Sequence, residues 1–273
     1  MMREGLAEAL QQAAANYVMP ICWIRAEAGK PRIVDNGSAF LLDCGAGPYL
    51  VTAGHVYEGF CKDRKAHPDT ACLLGDMRFD PESRCIAHDA VYDVATFRIS
   101  PDEVQALRSN RKHVLTGSQT AWPPQPPTVG RGAFFVGFPG DGRSIRPFRR
   151  RNLVEIDWLG YTTLAVADGV STTDITLVLQ HDAAYDIHSR PEPPPSSAMG
   201  GCSGAPLLTF VEQRGVFSWR LGGIIYESES MIVKAARADC LNPDGTINAY
   251  PDPMQYRRQE QKRQEREQAR QKD

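Results

Sequence analysis

Gly200-Gly201-Cys202-Ser203-Gly204-Ala205-Pro206, running into the apolar Leu207-Leu208, is the stretch on which the reading of this chain turns. A serine between glycines sits where the backbone can bend sharply and N–H groups can converge on open space. Stabilising an oxyanion needs that arrangement: fixed donors aimed at the oxygen that becomes charged. Taken alone, the same residues also make a glycine-rich turn before a strand. Two segments further out bear on the choice. Thr52-Ala53-Gly54-His55-Val56 follows the apolar Tyr49-Leu50-Val51 and sets a histidine just past a strand end. Tyr92-Asp93-Val94-Ala95-Thr96-Phe97 puts an acid at the entry of an apolar strand. Asp is depleted within strands, and one entering a buried strand needs a strong hydrogen-bonding partner. Alone, the histidine reads as a structural one and the acid as a turn cap.

Order and chemistry change that. His55, Asp93 and Ser203 occur in the order His, Asp, Ser, each at an expected strand–loop junction. Serine is a poor nucleophile until a base removes its proton. Histidine suits that base near neutral pH, and a carboxylate fixes its tautomer and stabilises the imidazolium.

The rest of the chain fits a soluble, β-rich protein. Of its 273 residues 42% are hydrophobic and 23% charged, which excludes low-complexity and wholly disordered classes. The 23 Gly and 20 Pro imply many turns. A formal net charge of −2 excludes a whole-surface footprint for nucleic acid. No stretch approaches the ~20 apolar residues that span a bilayer, and Glu4 and Glu8 interrupt any signal-peptide core at the N-terminus. The seven cysteines are odd in number, form no CxxC pair and give no zinc spacing with the histidines. The expectations are therefore a cytoplasmic protein, no metal, no cofactor and no membrane partner.

Along the chain, residues 3–17 have the 3–4 spacing of an amphipathic helix. Strands are expected at Val18–Ile24, Ser38–Asp43, Tyr49–Thr52 and Val94–Ile99, then a helical piece after residue 101. Trp122-Pro123-Pro124-Gln125-Pro126-Pro127 cannot donate to a β-ladder and reads as a semi-rigid link. Beyond it, strands are expected at Ala133–Phe138, Leu153–Leu159, Thr163–Val166, Ile175–Gln180, Pro206–Val211, Val216–Leu221 and Gly223–Ile225. The division is 1–17 N-terminal helix, 18–121 first half, 122–128 link, 129–240 second half and 241–273 polar, charged tail.

The three motifs resemble those of the chymotrypsin-like (trypsin-fold) serine peptidases, in particular the bacterial-type members: TAGH for the base, D-[IV]-A for the orienting acid, G-x-S-G-x-P for the nucleophile. Gly37-Ser38-Ala39-Phe40, Val136-Gly137-Phe138-Pro139-Gly140 and Leu221-Gly222-Gly223-Ile224-Ile225 extend the resemblance over roughly residues 18–235. It implies an all-β fold of two six-stranded antiparallel barrels with the triad between them. It also implies a serine endopeptidase with His55 as general base, Asp93 as its orienting partner and Ser203 as nucleophile. The N–H groups of Gly201 and Ser203 would form the oxyanion hole. Asp89, four residues upstream, is a rival acid that lacks the following Val-Ala-Thr-Phe strand.

Two departures matter. Where zymogen-type members carry an acid before the nucleophile this chain has Cys202, so activation by N-terminal insertion is not expected. A thiol nucleophile is not expected either, since Ser203 and not Cys202 precedes Gly204. The resemblance places Ser197 at the floor of the first specificity pocket and Ile225, Tyr226 and Glu227 along the substrate cleft. Glu227 and Glu229 would favour a basic substrate if they face it. The expected partners are a protein or peptide substrate and an activating protein. A nucleic-acid or acidic-partner role added to the peptidase is the lesser reading, through Arg143, Arg146, Arg149, Arg150, Arg151 and the tail. A catalytically silent trypsin-fold binding module is the alternative function. Restraint of a peptidase without a propeptide would come from the N-terminal helix, a collapsed oxyanion loop or the partner.

Overall fold

Continuous apolar runs in this chain mark strands that are buried on both faces, because successive side chains of a strand point in opposite directions. In the computed structural model, which describes residues 5–25, 32–116, 122–148, 153–186, 199–213, 215–229 and 231–248, several strands show it, and three of them carry much of the seam between the two lobes. These three are β2 (Ile33–Leu42), β9 (Gly132–Gly137) and β14 (Pro206–Gln213). Ala39 and Leu41 of β2 enter the core of the first lobe, while Phe40 and Leu42 face the second lobe. Ala133 and Phe135 of β9 fill the second lobe's interior, while Phe134 and Val136 face the first. Leu207 and Leu208 of β14 divide in the same way. The lobes therefore share a third apolar core between them, to which Tyr49, Val94, Leu221 and Ile224 also contribute.

The first lobe is built from β1 (Val18–Arg25), β2, β3 (Tyr49–Ala53), β4 (Ala71–Leu74), β5 (Met77–Phe79), β6 (Cys85–Asp89), β7 (Val94–Arg98) and β8 (Val114–Leu115). They form one sheet in the order β5-β4-β1-β2-β3-β7-β6, with β8 parallel to the end of β2. This sheet curls but its end strands do not pair, so it is a half-barrel where a closed six-stranded barrel was expected. Helices complete it. Val56 and Phe60 of α2 (Gly54–Ala66) and Val104 and Leu107 of α4 (Pro101–Ser109) pack into the same core as Leu41, Leu50 and Phe97. A single turn, α3 (Pro81–Arg84), links β5 to β6.

The second lobe is the closed six-stranded barrel. Besides β9 and β14 it contains β12 (Tyr161–Val170), β13 (Asp174–Asp186), β15 (Val216–Glu229) and β16 (Ile232–Arg237), closing in the order β12-β13-β16-β15-β14-β9. β10 (Arg143–Phe148) and β11 (Leu153–Trp158) form a separate hairpin. The two strands expected at Val216–Leu221 and Gly223–Ile225 are one strand, β15, with a register shift where it crosses from Leu208 to Leu207 of β14.

The N-terminal helix, α1 (Leu6–Ala14), ends in a 3-10 turn, Ala15–Tyr17, that leads directly into β1. It is anchored on the outside of the second lobe. The buried Gln11 donates Nε2–H to Thr162 Oγ1 at 3.0 Å, and the Thr162 hydroxyl donates to the Phe135 carbonyl at 2.9 Å. Among the described residues no helix is long and apolar enough to cross a membrane. Ser197, Arg149, Arg150, Arg151 and the tail from 249 lie outside the described residues.

Candidate active site

His55 is the second residue of α2, which starts where β3 ends. The first N–H groups of a helix have no partner inside it, and here Asp93 supplies partners from outside. The Asp93 carbonyl accepts Gly54 N–H at 2.8 Å, and Oδ1 accepts His55 N–H at 2.6 Å. Its second carboxylate oxygen, Oδ2, lies 2.7 Å from His55 Nδ1. A carboxylate only accepts, so Nδ1 is the donor, and in a neutral ring the lone pair then sits on Nε2. Asp93 reaches all three groups because its own φ is +53°, a region that Asp tolerates better than most side chains.

Asp89 has other work. Its Oδ1 accepts Val91 N–H and Tyr92 N–H at 2.8 and 2.9 Å, capping the turn that leads to Asp93.

Ser203 lies in the turn before β14, and neighbours fix its backbone on every side. Gly200's carbonyl accepts Gly140 N–H at 2.6 Å, and Cys202's carbonyl accepts Ala205 N–H at 3.0 Å. In a trans peptide the N–H points opposite the C=O. The N–H groups of Gly201 and Ser203 are thereby turned away from these partners, and neither donates to an acceptor among the described residues. Gly201 has φ +100°, and a Cβ there would lie 2.5 Å from Asn36 Nδ2. Gly204 has φ +92°, and a Cβ there would lie 2.0 Å from the Ser38 carbonyl oxygen and 2.3 Å from Thr52 Oγ1. That close approach brings Ser203 to the residues that run through Ala53 and Gly54 into His55.

The serine hydroxyl donates to the Tyr226 carbonyl at 3.2 Å. Among the described residues the only hydrogen bond of the His55 ring is to Asp93. The site therefore brings together a histidine–carboxylate pair, two unengaged amides and a serine whose hydroxyl is held by the cleft strand. Cys202 is buried at 1% exposure in the second lobe's core, and burial pushes its thiol up to about 12. It cannot be a thiolate at neutral pH.

The other cleft residues divide. Ile225 is buried; its N–H donates to the Ala205 carbonyl and its carbonyl accepts Gly204 N–H, which fixes β15 against the nucleophile turn. Tyr226 is half-buried and donates its hydroxyl to Asp174 Oδ1 at 2.9 Å; burial, with Asp174 behind it, raises its pKa. Glu227 is exposed and paired with Lys234 Nζ at 2.8 Å, which weakens it as a reader of basic substrates.

Asn36 and Ser38 support the site, and their roles escaped the sequence reading. The fully buried Ser38 hydroxyl donates to the Gly201 carbonyl at 2.9 Å and accepts Phe138 N–H at 3.0 Å. Ser38 N–H donates to the Ser203 carbonyl at 2.8 Å. Asn36 Nδ2–H donates to the Phe138 carbonyl at 2.8 Å. The available signal was a run of polar residues, Asp35-Asn36-Gly37-Ser38, inside a strand. Among the described residues no cluster of three or more His, Cys, Asp or Glu side chains could hold a metal.

A half-barrel and a closed barrel facing each other across an apolar core give the all-β architecture of the trypsin-like fold. No protein-family model matches the chain, and no curated protein matches it. Among solved structures, the chain is similar to the Rv3671c protease from M. tuberculosis in its active form. The identity is 14%, with 87% of this chain and 82% of that chain covered and a TM-score of 0.46.

Proposed function

We propose that the protein is a serine endopeptidase acting through His55, Asp93 and Ser203. The observation that carries this reading is the His55–Asp93 pair at 2.7 Å, with the imidazole oriented through Nδ1 so that Nε2 can act as a base. The unengaged amides of Gly201 and Ser203 support it as an oxyanion hole.

Catalysis begins with a rotation about the Ser203 Cα–Cβ bond, which takes Oγ from the Tyr226 carbonyl to His55 Nε2. This exchanges one hydrogen bond for another, so the step costs on the order of 1 kcal/mol. The Oγ–C bond then forms as the hydroxyl proton passes to Nε2, and the carbonyl oxygen takes up the negative charge opposite the two amides. His55 returns the proton to the departing nitrogen as the C–N bond breaks. Water, deprotonated by the same imidazole, hydrolyses the acyl-enzyme and releases Ser203. Asp93 keeps the tautomer throughout. No cofactor enters these steps.

A second reading, a silent binding module, draws on the Ser203 hydroxyl lying on Tyr226 rather than on His55. Labelling with a fluorophosphonate probe separates the two. The wild type should label, while Ser203→Ala does not and His55→Ala and Asp93→Ala label at least 100-fold more slowly, given the 10²–10⁴-fold scale of general-base assistance. A well-folded wild type that resists the probe would overturn the peptidase reading.

A further inference from the structure

The segment 200–204 has two flanks. Its Ser203–Gly204 end touches β15, where the edge of Tyr226–Glu229 on the β14 side has no strand partner among the described residues, since β14 begins only opposite Ile224. Its Gly200–Gly201 end touches Asn36 and Gly140, and beside Gly140 lies the guanidinium of Arg143. Arg143 Nη1 donates to Asn36 Oδ1 at 2.6 Å, and Asn36 is itself oriented by the Phe138 carbonyl. Gly140 makes room for the guanidinium: a Cβ there would lie 2.9 Å from Nη1 and 3.5 Å from the Gly200 oxygen.

A guanidinium carries five N–H donors in a fixed fork that matches a carboxylate. Half-buried arginines normally sit against an acid. Among the described residues Arg143 has no carboxylate within ion-pair distance. The nearby Asp35 is paired with Arg25. The hydrogen bond of Arg143 is to a neutral amide, so among the described residues no acid neutralises its charge beside the loop that would cradle the oxyanion.

We infer that Arg143 reads a carboxylate side chain of the substrate, within the first two residues on the departing side of the scissile bond. The inference rests on the peptidase reading. A substrate chain crossing Ser203 lays one half along the free edge of β15 and the other across Gly200–Gly201, and the second half meets Arg143. The substrate class is then a protein segment with Asp or Glu directly after the cleaved bond. Glu227, which would read a basic residue, is already paired with Lys234.

The test is cleavage of a proteome-derived peptide library by wild type, Arg143→Gln and Arg143→Lys, on preparations first assayed with the fluorophosphonate probe. Wild type should enrich Asp and Glu about tenfold in those two positions, the size of one charge-assisted hydrogen bond. Arg143→Gln should abolish the enrichment, and Arg143→Lys should retain part of it. Labelled wild type that cleaves without acid preference, or cleaves nothing, overturns the assignment of Arg143. So does enrichment that survives in Arg143→Gln while overall rate falls, which would make the residue a brace for Asn36. Failure to label sinks the peptidase reading itself and is seen before any peptide is added.

Discussion

Asp93 bonds both to the helix that carries His55 and to the His55 ring, so its substitutions should separate two effects. Asp93→Asn keeps the shape but offers an NH₂ where an acceptor is needed. On the peptidase reading the tautomer inverts, and kcat/KM should fall on the order of 10³–10⁴-fold. Stability should fall by only about 1 kcal/mol, the scale of one lost helix-terminal interaction. Parallel kinetics and denaturant melts check this; a large stability loss with modest kinetic loss would make Asp93 structural. Gly204→Ala tests packing at the same scale. Positive φ and a Cβ 2.0 Å from a backbone oxygen admit no relaxed side chain. A loss above about 2 kcal/mol, or insoluble protein, is expected from a thermal melt. The types and order of His55, Asp93 and Ser203 were visible in the sequence because the chemistry restricts them. The roles of Arg143, Asn36 and Ser38 at the site were not, since their contacts join β2 to β10 and to the nucleophile turn more than 100 positions away.

At the scale of elements, local rules made some pieces legible and hid others. β9 and β14 stand out because burial on both faces demands unbroken apolar runs. α2 was missed: it starts at Gly54 without a capping side chain of its own, its cap being the distant Asp93. β4, β5, β6, β10 and β16 are short or mixed in polarity, and their pairing is set by neighbours. α4 has its own signal. Ser100 Oγ accepts Glu103 N–H at 3.3 Å and Glu103 Oε2 accepts Ser100 N–H at 2.8 Å, a capping box with Pro101 in the first turn. Ser100→Ala should cost about 1 kcal/mol in urea melts. Burial pushes the Glu103 carboxyl up, but Ser100 and the Arg84 guanidinium at 2.6 Å outweigh it and hold the pKa below the ordinary 4.5. A lowered carboxylate pKa stabilises the fold fully above 4.5, and that contribution is lost as pH falls through the lower folded value. The stability difference between wild type and Glu103→Gln should therefore narrow below pH 4.5. A constant difference would show that the ionised carboxylate contributes nothing.

Across the whole molecule, the decisive feature is the core between the lobes, because His55 and Asp93 belong to one lobe and Ser203 to the other. The sequence marked Ser38–Asp43, Ala133–Phe138 and Pro206–Val211 as strands, but not which surfaces met. Nor did it show that helices, not a further strand pairing, complete the first lobe. Phe134 is fully buried in that shared core and stacks on Phe210 with centroids 4.8 Å apart. It points out of the barrel, so truncating it leaves the interior around Phe135 and Leu177 intact while opening a cavity between the lobes. Phe134→Ala should cost about 3–5 kcal/mol. Because both lobes use this core, calorimetry of the wild type should show one cooperative transition. In the variant that transition should fall in temperature or split, the lobe with the weaker private core melting first. Splitting together with lost fluorophosphonate labelling, while far-UV circular dichroism stays native at the assay temperature, would tie assembly of the site to contact between the lobes. Two transitions in the wild type would mean that the lobes fold independently and that the shared core does not hold the site together.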